Sequence, residues 1–274
     1  VGVPEYGGPM TQLPSAVSVR ESGSGTPVLL LHAFPLNASM FSAQLDALPG
    51  TAGDEARVLA PDQRGFGGTE LGSGEPSLDL VADDLALLLD AAGVERAVVA
   101  GVSMGGYVAL ALARRHPDRL AGLLLANTRA TADTDAVRAN RERIAAAVTA
   151  RDSVQLLLEE KVAAGQLAPG SQHLVERVQS MVAAAPPAAV AWAQRAMAAR
   201  PDSQETLAGL RVPTTLLAGA QDALVAVEEA ELMGRLLPEA ELTVLPGTGH
   251  LSPLEAPDAF TAAVRRLIAR VAAG

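Results

Sequence analysis

Gly101-Val102-Ser103-Met104-Gly105 has the spelling of a turn that lifts a serine hydroxyl clear of its own backbone, where it can attack a carbonyl. The glycines keep side chains away from a place where the backbone doubles back. Upstream, Glu95 to Ala100 reads as a short buried strand. Downstream, Val108, Leu110, Ala111 and Leu112 mark a helix that stops at Arg114-Arg115-His116-Pro117. Strand, sharp turn and helix in that order describe a nucleophile elbow. Its Met104 amide, at the positive end of the new helix, would point toward the carbonyl under attack. The plainer alternative is a glycine-rich turn whose serine only caps the helix.

A serine hydroxyl is a weak nucleophile at neutral pH, so it requires a base that is itself held by a carboxylate. Of the four histidines, His250 ends Gly247-Thr248-Gly249-His250, after the last expected strand and before the final helix. That places it at the same sheet edge as the elbow. His116 stands before Pro117 at a helix end, where a positive charge suits the dipole. His173 belongs to a polar helix face, and His32 organises a loop. For the carboxylate, Asp222 follows the strand Thr214 to Leu217 and the turn Ala218-Gly219-Ala220-Gln221. Its alternative role is to cap the next segment. A second oxyanion donor is expected from the loop after Val28 to Leu31, with the backbone N–H of Phe34 as the natural choice.

The elements that must hold these residues alternate along the chain. Ala16 to Glu21 and Val28 to Leu31, joined by Ser22-Gly23-Ser24-Gly25, look like a hairpin entering a buried strand. Helix is expected over Met40 to Leu48 and Leu78 to Ala92, and strand over Arg57 to Ala60 and Leu120 to Leu125. Alternation resumes with Thr214 to Leu217, a helix over Ala226 to Leu237, a strand over Glu241 to Leu245 and a final helix over Ala259 to Val271. Repeated strand–helix units predict an α/β fold with a mainly parallel sheet and helices on both faces. The core spans 11–127 and 213–274. The strandless interval 128–212 is expected to be an inserted helical cap over the strand ends. Within it Asp152 and Gln155 resemble a capping box, Leu174, Val178, Met181 and Val182 share a face, and Pro186-Pro187 can open a helix. Residues 1–10 read as a leader, an added or alternative start with no catalytic part.

The chain has 274 residues, enough for one large α/β domain with an insertion. It lacks cysteine, which removes disulfides, thiolate metal sites and a cysteine nucleophile together. A net charge of −10 repels nucleic acid and anionic lipid, so neither is an expected partner. No apolar run approaches the ~20 residues of a membrane span, and no signal segment is seen, so the expectation is a soluble, cytoplasmic protein. Its oligomeric state is not encoded in any pattern found.

Four stretches together resemble the α/β-hydrolase superfamily: His32-Ala33-Phe34-Pro35, Pro61-Asp62-Gln63-Arg64-Gly65-Phe66-Gly67, the elbow with its extra Gly106, and Gly247-Thr248-Gly249-His250. The similarity runs from about Leu13 to Ala269 and is nearest to serine esterases and enol-lactonase-like hydrolases. The order Ser103, Asp222, His250 is that of the family's triad. A second place where the family sometimes keeps its acid, after the strand that follows the elbow helix, is Ala126-Asn127 here and offers no carboxylate. The chain also has Ala33 where the family usually has glycine, which bears on the shape of the oxyanion loop.

The resemblance implies acyl transfer without metal or organic cofactor: a carboxylic-ester hydrolase for a small, largely apolar ester or lactone. Enol-lactonase, carbon–carbon bond hydrolase and perhydrolase chemistry fit the same triad, and a non-catalytic small-molecule receptor is the alternative from another class. With only four Phe, two Tyr and one Trp, the aromatics that fall near the expected mouth are notable. Phe34, Phe41, Tyr107 and Trp192 are taken as pocket residues, with Trp192 equally suited to stapling the cap to the core. Arg64 is expected to be a structural anchor.

Overall fold

A computed structural model of the chain describes residues 11–12, 17–50 and 55–274. The expected leader, and Ala16 at the head of the first expected strand, lie outside them. Eight strands follow one another as β1 (Thr11–Gln12), β2 (Ser18–Ser22), β3 (Thr26–Leu31), β4 (Ala56–Pro61), β5 (Ala97–Val102), β6 (Leu120–Ala126), β7 (Thr214–Gly219) and β8 (Glu241–Leu245). They form one sheet in the order β1-β2-β4-β3-β5-β6-β7-β8. From β4 to β8 every neighbour is parallel, while β1 and β2 add an antiparallel margin.

The central strands read Thr-Pro-Val-Leu-Leu-Leu, Ala-Val-Val-Ala-Gly-Val and Leu-Ala-Gly-Leu-Leu-Leu-Ala, unbroken apolar runs without polar alternation. Such runs suit strands covered on both faces. Every residue of β5 is buried, whichever way it points, so both faces are indeed covered. The helices that follow are α1 (Ser42–Ala47), α2 (Leu78–Ala91), α3 (Met104–Arg115), α4 (Asp135–Arg151), α5 (Gln155–Glu159), α6 (Val162–Gly165), α7 (Val175–Ala183), α8 (Pro187–Ala199), α9 (Gln204–Gly209), α10 (Val227–Leu236), α11 (Ser252–Glu255) and α12 (Pro257–Ala273).

Strand order decides where a site can form. The chain leaves β3 to reach β4 on one side, then crosses back to β5 on the other. Loops after β3 and β5 therefore part at their carboxyl ends and open a crevice, the usual ligand position in open α/β sheets. The turns after β6, β7 and β8 emerge at the same rim, because these strands run parallel to β5.

Between β6 and β7 only helices occur among the described residues, α4 to α9. Pro187 opens α8, where a missing N–H costs nothing. Val178, Met181 and Val182 are buried on one face of α7, and Leu174 packs beside them. The insertion is pinned at its root by the fully buried Asp133 side chain. That carboxylate pairs with Arg141 of α4 and, at 3.1 Å, with Arg200 just past α8. Arg200 also lies 4.1 Å over the Tyr107 ring, a cation–π contact onto α3.

Local expectations fail in three places, each for a stated cause. Strand β2 does not form a hairpin with β3: Val19 pairs with Pro61 and Arg20 with Ala60, so β4 lies between them. Asp152 opens no helix. It closes α4 in a left-handed conformation (φ 44°, ψ 45°), and the Gln155 N–H is taken by Ser153 Oγ at 3.1 Å. The helix expected over Met40 to Leu48 is a 3₁₀ turn, Ala38–Phe41, continued by α1, because Asn37 Oδ1 caps the Ser39 N–H and starts the turn early.

Candidate active site

Strand β5 extends two residues beyond its expected end, through Gly101 and Val102, so Ser103 leaves the sheet directly into α3. Close approach of backbones explains the glycines. A Cβ on Gly101 would lie 2.3 Å from the Gly105 carbonyl oxygen, and one on Gly105 would lie 2.1 Å from the Leu31 carbonyl oxygen. Ser103 itself adopts φ 54°, ψ −114°, a region that a side chain rarely tolerates. Its N–H donates to the Ala126 carbonyl at 3.0 Å, and its own carbonyl accepts from Gly106, Tyr107 and the Thr128 hydroxyl. The strained turn is thus bonded on every side.

His250 Nε2 lies 2.7 Å from Ser103 Oγ, and His250 Nδ1 lies 2.8 Å from Asp222 Oδ2. With Asp222 ionised, Nδ1–H donates to the carboxylate and Nε2 accepts the serine proton. Both side chains are nearly sealed from solvent, 3 % exposed for His250 and 1 % for Asp222. Burial on its own would raise the Asp222 pKa. The hydrogen bond and charge of His250, with the Leu224 and Val225 N–H groups on Oδ1, outweigh it and hold the carboxyl below its ordinary range. The carboxylate therefore stays charged beside the imidazole.

Asn127 is a member of this cluster that the sequence reading passed over for want of a carboxylate. Its Nδ2 donates to Asp222 Oδ2 at 3.1 Å and to the Gly249 carbonyl at 3.0 Å, from a left-handed backbone (φ 51°) directly after β6. It ties the acid turn to the histidine turn. The one available signal was its place at the end of a strand next to β5.

The loop after β3 is organised by His32. Its ring is wholly enclosed, accepts the Gln63 N–H at Nε2 (2.9 Å) and donates from Nδ1 to the Ala33 carbonyl (3.0 Å). Burial lowers its pKa against the opposing pull of that carbonyl and of Asp62, so the ring is neutral. Asp62 in turn accepts the Ala38 and Gly68 N–H groups. Ala33 sits without a positive φ, its N–H donating to Met40 Sδ at 3.3 Å, so its backbone does not need the left-handed conformation that favours glycine. Among the described residues the Phe34 and Met104 N–H groups have no acceptor. They belong to the loop after β3 and to the turn after β5, which part at the crevice.

The expected pocket residues scatter. Phe34 is half-buried at the rim, edge-on to Phe66 at 6.2 Å. Phe41 is fully buried and packs 6.3 Å from Phe260 of α12, so it belongs to the core. Tyr107 lines a cleft of about 100 Å³ with Ser77, Arg114, Arg129 and Arg200, which Ser103 and His250 do not reach. Trp192 donates from Nε1 to the Gly74 carbonyl at 3.1 Å, fastening α8 to the core loop. Arg64 makes a two-pronged pair with Asp84 and anchors that same loop at Leu71 and Ser73. His116 pairs with Asp83 at 2.7 Å, and His173 is exposed. No group of acidic and histidine side chains able to hold a metal occurs among the described residues.

The model of the alpha/beta hydrolase fold family matches residues 26–257. The chain belongs to that family. Within it the resemblance is to the esterase and enol-lactonase-like branch. The RutD protein of Azorhizobium caulinodans, which bears a carbamate-hydrolase name, is 30% identical over 257 residues, 87% of this chain and 89% of its own. The 3-oxoadipate enol-lactonase 2 of Acinetobacter baylyi is 27% identical, with 85% of each chain covered. A thermophilic esterase from Thermogutta terrifontis, solved with malate bound, is 37% identical with a TM-score of 0.89, over 96% of this chain and 99% of that one. The hydrolase fold is therefore established. No helix among the described residues is long and apolar enough to cross a membrane.

Proposed function

We propose that this hydrolase cleaves carboxylic esters or lactones of small, largely apolar substrates through an acyl-enzyme on Ser103. The observation that carries the proposal is the unbroken chain Ser103 Oγ, His250 Nε2, His250 Nδ1, Asp222 Oδ2, with links of 2.7 and 2.8 Å. In the first step His250 takes the Ser103 proton as Oγ bonds to the substrate carbonyl carbon. The Met104 and Phe34 N–H groups then hold the resulting oxyanion. His250 returns that proton to the departing alkoxide as the C–O bond breaks. Water, deprotonated by the same imidazole, then bonds to the acyl carbon; the acyl–Oγ bond breaks, the imidazole returns that proton to Ser103 Oγ and the acid leaves, while Asp222 keeps the ring oriented throughout. The helical insertion serves as the cap, and Phe34 as a wall of the acyl site.

The enol-lactonase relative favours a ring-opening substrate as the second version of the same chemistry, since a lactone is an ester whose leaving group stays attached. The carbamate-hydrolase name of the RutD relative extends the same attack to a nitrogen-bearing carbonyl. Carbon–carbon hydrolysis and perhydrolysis require the same nucleophile and differ in the bond broken or the final acceptor.

A panel of linear p-nitrophenyl esters of rising acyl length, with γ- and δ-lactones, tests the proposal on purified protein. Turnover of short esters or lactones is expected, and Ser103→Ala should remove it while leaving the circular dichroism unchanged. Undiminished turnover in Ser103→Ala would refute Ser103 as nucleophile.

A further inference from the structure

One short segment of the helical insertion makes hydrogen bonds to both loops on which acyl transfer depends. The Gln166 carbonyl accepts the His250 N–H at 2.9 Å. The Gln166 side chain reaches the other way, its Nε2 donating to the Phe34 carbonyl at 2.8 Å. Gln166 is only 4 % exposed, so water does not compete for these bonds. One residue thus spans from the base to the oxyanion loop.

Glu255, at the end of α11, completes the clasp. Its Oε2 accepts the Gly249 N–H at 3.0 Å and the Ala168 N–H at 2.8 Å, and its Oε1 accepts the Leu251 N–H at 2.9 Å. Gly249 and Leu251 are the neighbours of His250 on either side, so one carboxylate fixes the backbone around the imidazole and fastens it to the insertion. Contact there is tight. A Cβ on Gly249 would lie 2.5 Å from the Ala168 nitrogen and 3.0 Å from Glu255 Oε1. Charge-assisted bonds to an ionised carboxylate are stronger than those between neutral groups, and three on one residue leave the loop little freedom.

We propose that Gln166 and Glu255 are positioning residues for the Ser103 site, through which the segment Gln166–Ala168 makes the insertion a working part of the catalytic machinery as well as a cover. The inference rests on the proposed acyl-transfer function. It follows from elementary geometry: His250 must keep Nε2 on Ser103 Oγ while the Phe34 amide stays over the developing oxyanion. Those groups sit on loops after β8 and β3, which are not neighbours in the sheet. Gln166 bridges them directly. Small displacements of such groups are expensive, about 100-fold in rate for ~1 Å.

Gln166→Leu keeps the main-chain acceptor and most of the volume but removes the bond to Phe34. Glu255→Gln replaces a carboxylate that serves three N–H groups with a carboxamide that carries one acceptor oxygen. Both are compared with the parent protein for kcat and KM on a short-chain ester, for the rate of labelling by a fluorophosphonate, and for melting temperature. The expected result is a fall in kcat and in labelling rate of roughly tenfold or more with KM changed less than about twofold, because ground-state binding is untouched. Glu255→Asp should recover part of the loss. If Glu255→Gln fails to fold, Gln166→Leu decides, since it removes no carboxylate.

Folded variants with parental kcat and labelling would overturn the inference while leaving the acyl-transfer function standing. A loss confined to KM would also overturn it, by assigning the segment to substrate contact alone. A parent protein that neither turns over esters and lactones nor labels at Ser103 would instead overturn the function on which the inference rests.

Discussion

Asn127 stands where the resemblance allows an acid, and instead of accepting from the imidazole it donates to Asp222, the carboxylate that does. Its Nδ2 reaches Asp222 at 3.1 Å, so Asn127→Asp would put a second negative charge beside the first. Added negative charge favours the protonated imidazole, and the acid limb of the pH–rate profile is expected to move to higher pH with a lower plateau. An unmoved limb would separate Asn127 from the charge system. His32 offers a test of a different kind. Its folded-state pKa is lowered, while the unfolded ring binds its proton near ~6.5, so the unfolded state holds more protons below that pH. Stability is therefore fully present above the unfolded value and declines as pH falls through it toward the folded one. Denaturant midpoints between pH 5 and 8 should show that slope in the parent protein and a flatter one in His32→Asn. Ser103, Asp222 and His250 were each legible in the sequence, because each stands in a glycine-bearing turn at a strand end. Asn127 was not, since its contribution depends on a neighbouring strand's turn and no residue-type rule marks an amide for it.

At the scale of elements, the elbow works because α3 leaves β5 with almost no space between them. Gly105→Ala would force a Cβ against the Leu31 carbonyl, a backbone atom held by the β3–β5 ladder. Overpacking that cannot relax by a side-chain turn is expected to cost about 3 kcal/mol, read as a shift in the denaturant midpoint. A midpoint within error of the parent would show that the turn has slack the structure does not contain. The strand and helix pattern was mostly legible, since unbroken apolar runs and helical periodicity are properties of local sequence. Pairing was not. Strand β2 lies next to β3 in the chain, yet β4 lies between them in the sheet, and a tight Ser-Gly-Ser-Gly turn cannot report that separation. Asp152 failed for a local reason of another sort: the same residue type suits a helix start and a left-handed helix end, and the Ser153 hydroxyl takes the Gln155 N–H instead.

For the whole molecule, parallel strands explain how side chains 147 and 28 residues apart in sequence come to share hydrogen bonds. Every contributing turn is the carboxyl end of a strand in one sheet, so all open on one rim. The interval between β6 and β7 was legible as helical, and only helices occur there among the described residues. Its attachment to the site through Gln166 and Glu255 was not, because those bonds join residues whose types alone predict nothing about partners in distant loops. Of the aromatics, Phe41 goes to the core, while Trp192 joins α8 to the Gly74 loop, the stapling role its sequence position suited equally well.

Labelling of the intact protein with a fluorophosphonate, followed by mass spectrometry of its peptides, tests the convergence of Ser103, His250 and Asp222 most directly. One adduct per chain, on Ser103, is expected, formed at least ~100-fold more slowly in His250→Ala, because the hydroxyl then lacks its base. Absence of an adduct on Ser103, or labelling that is indifferent to His250, would contradict the account.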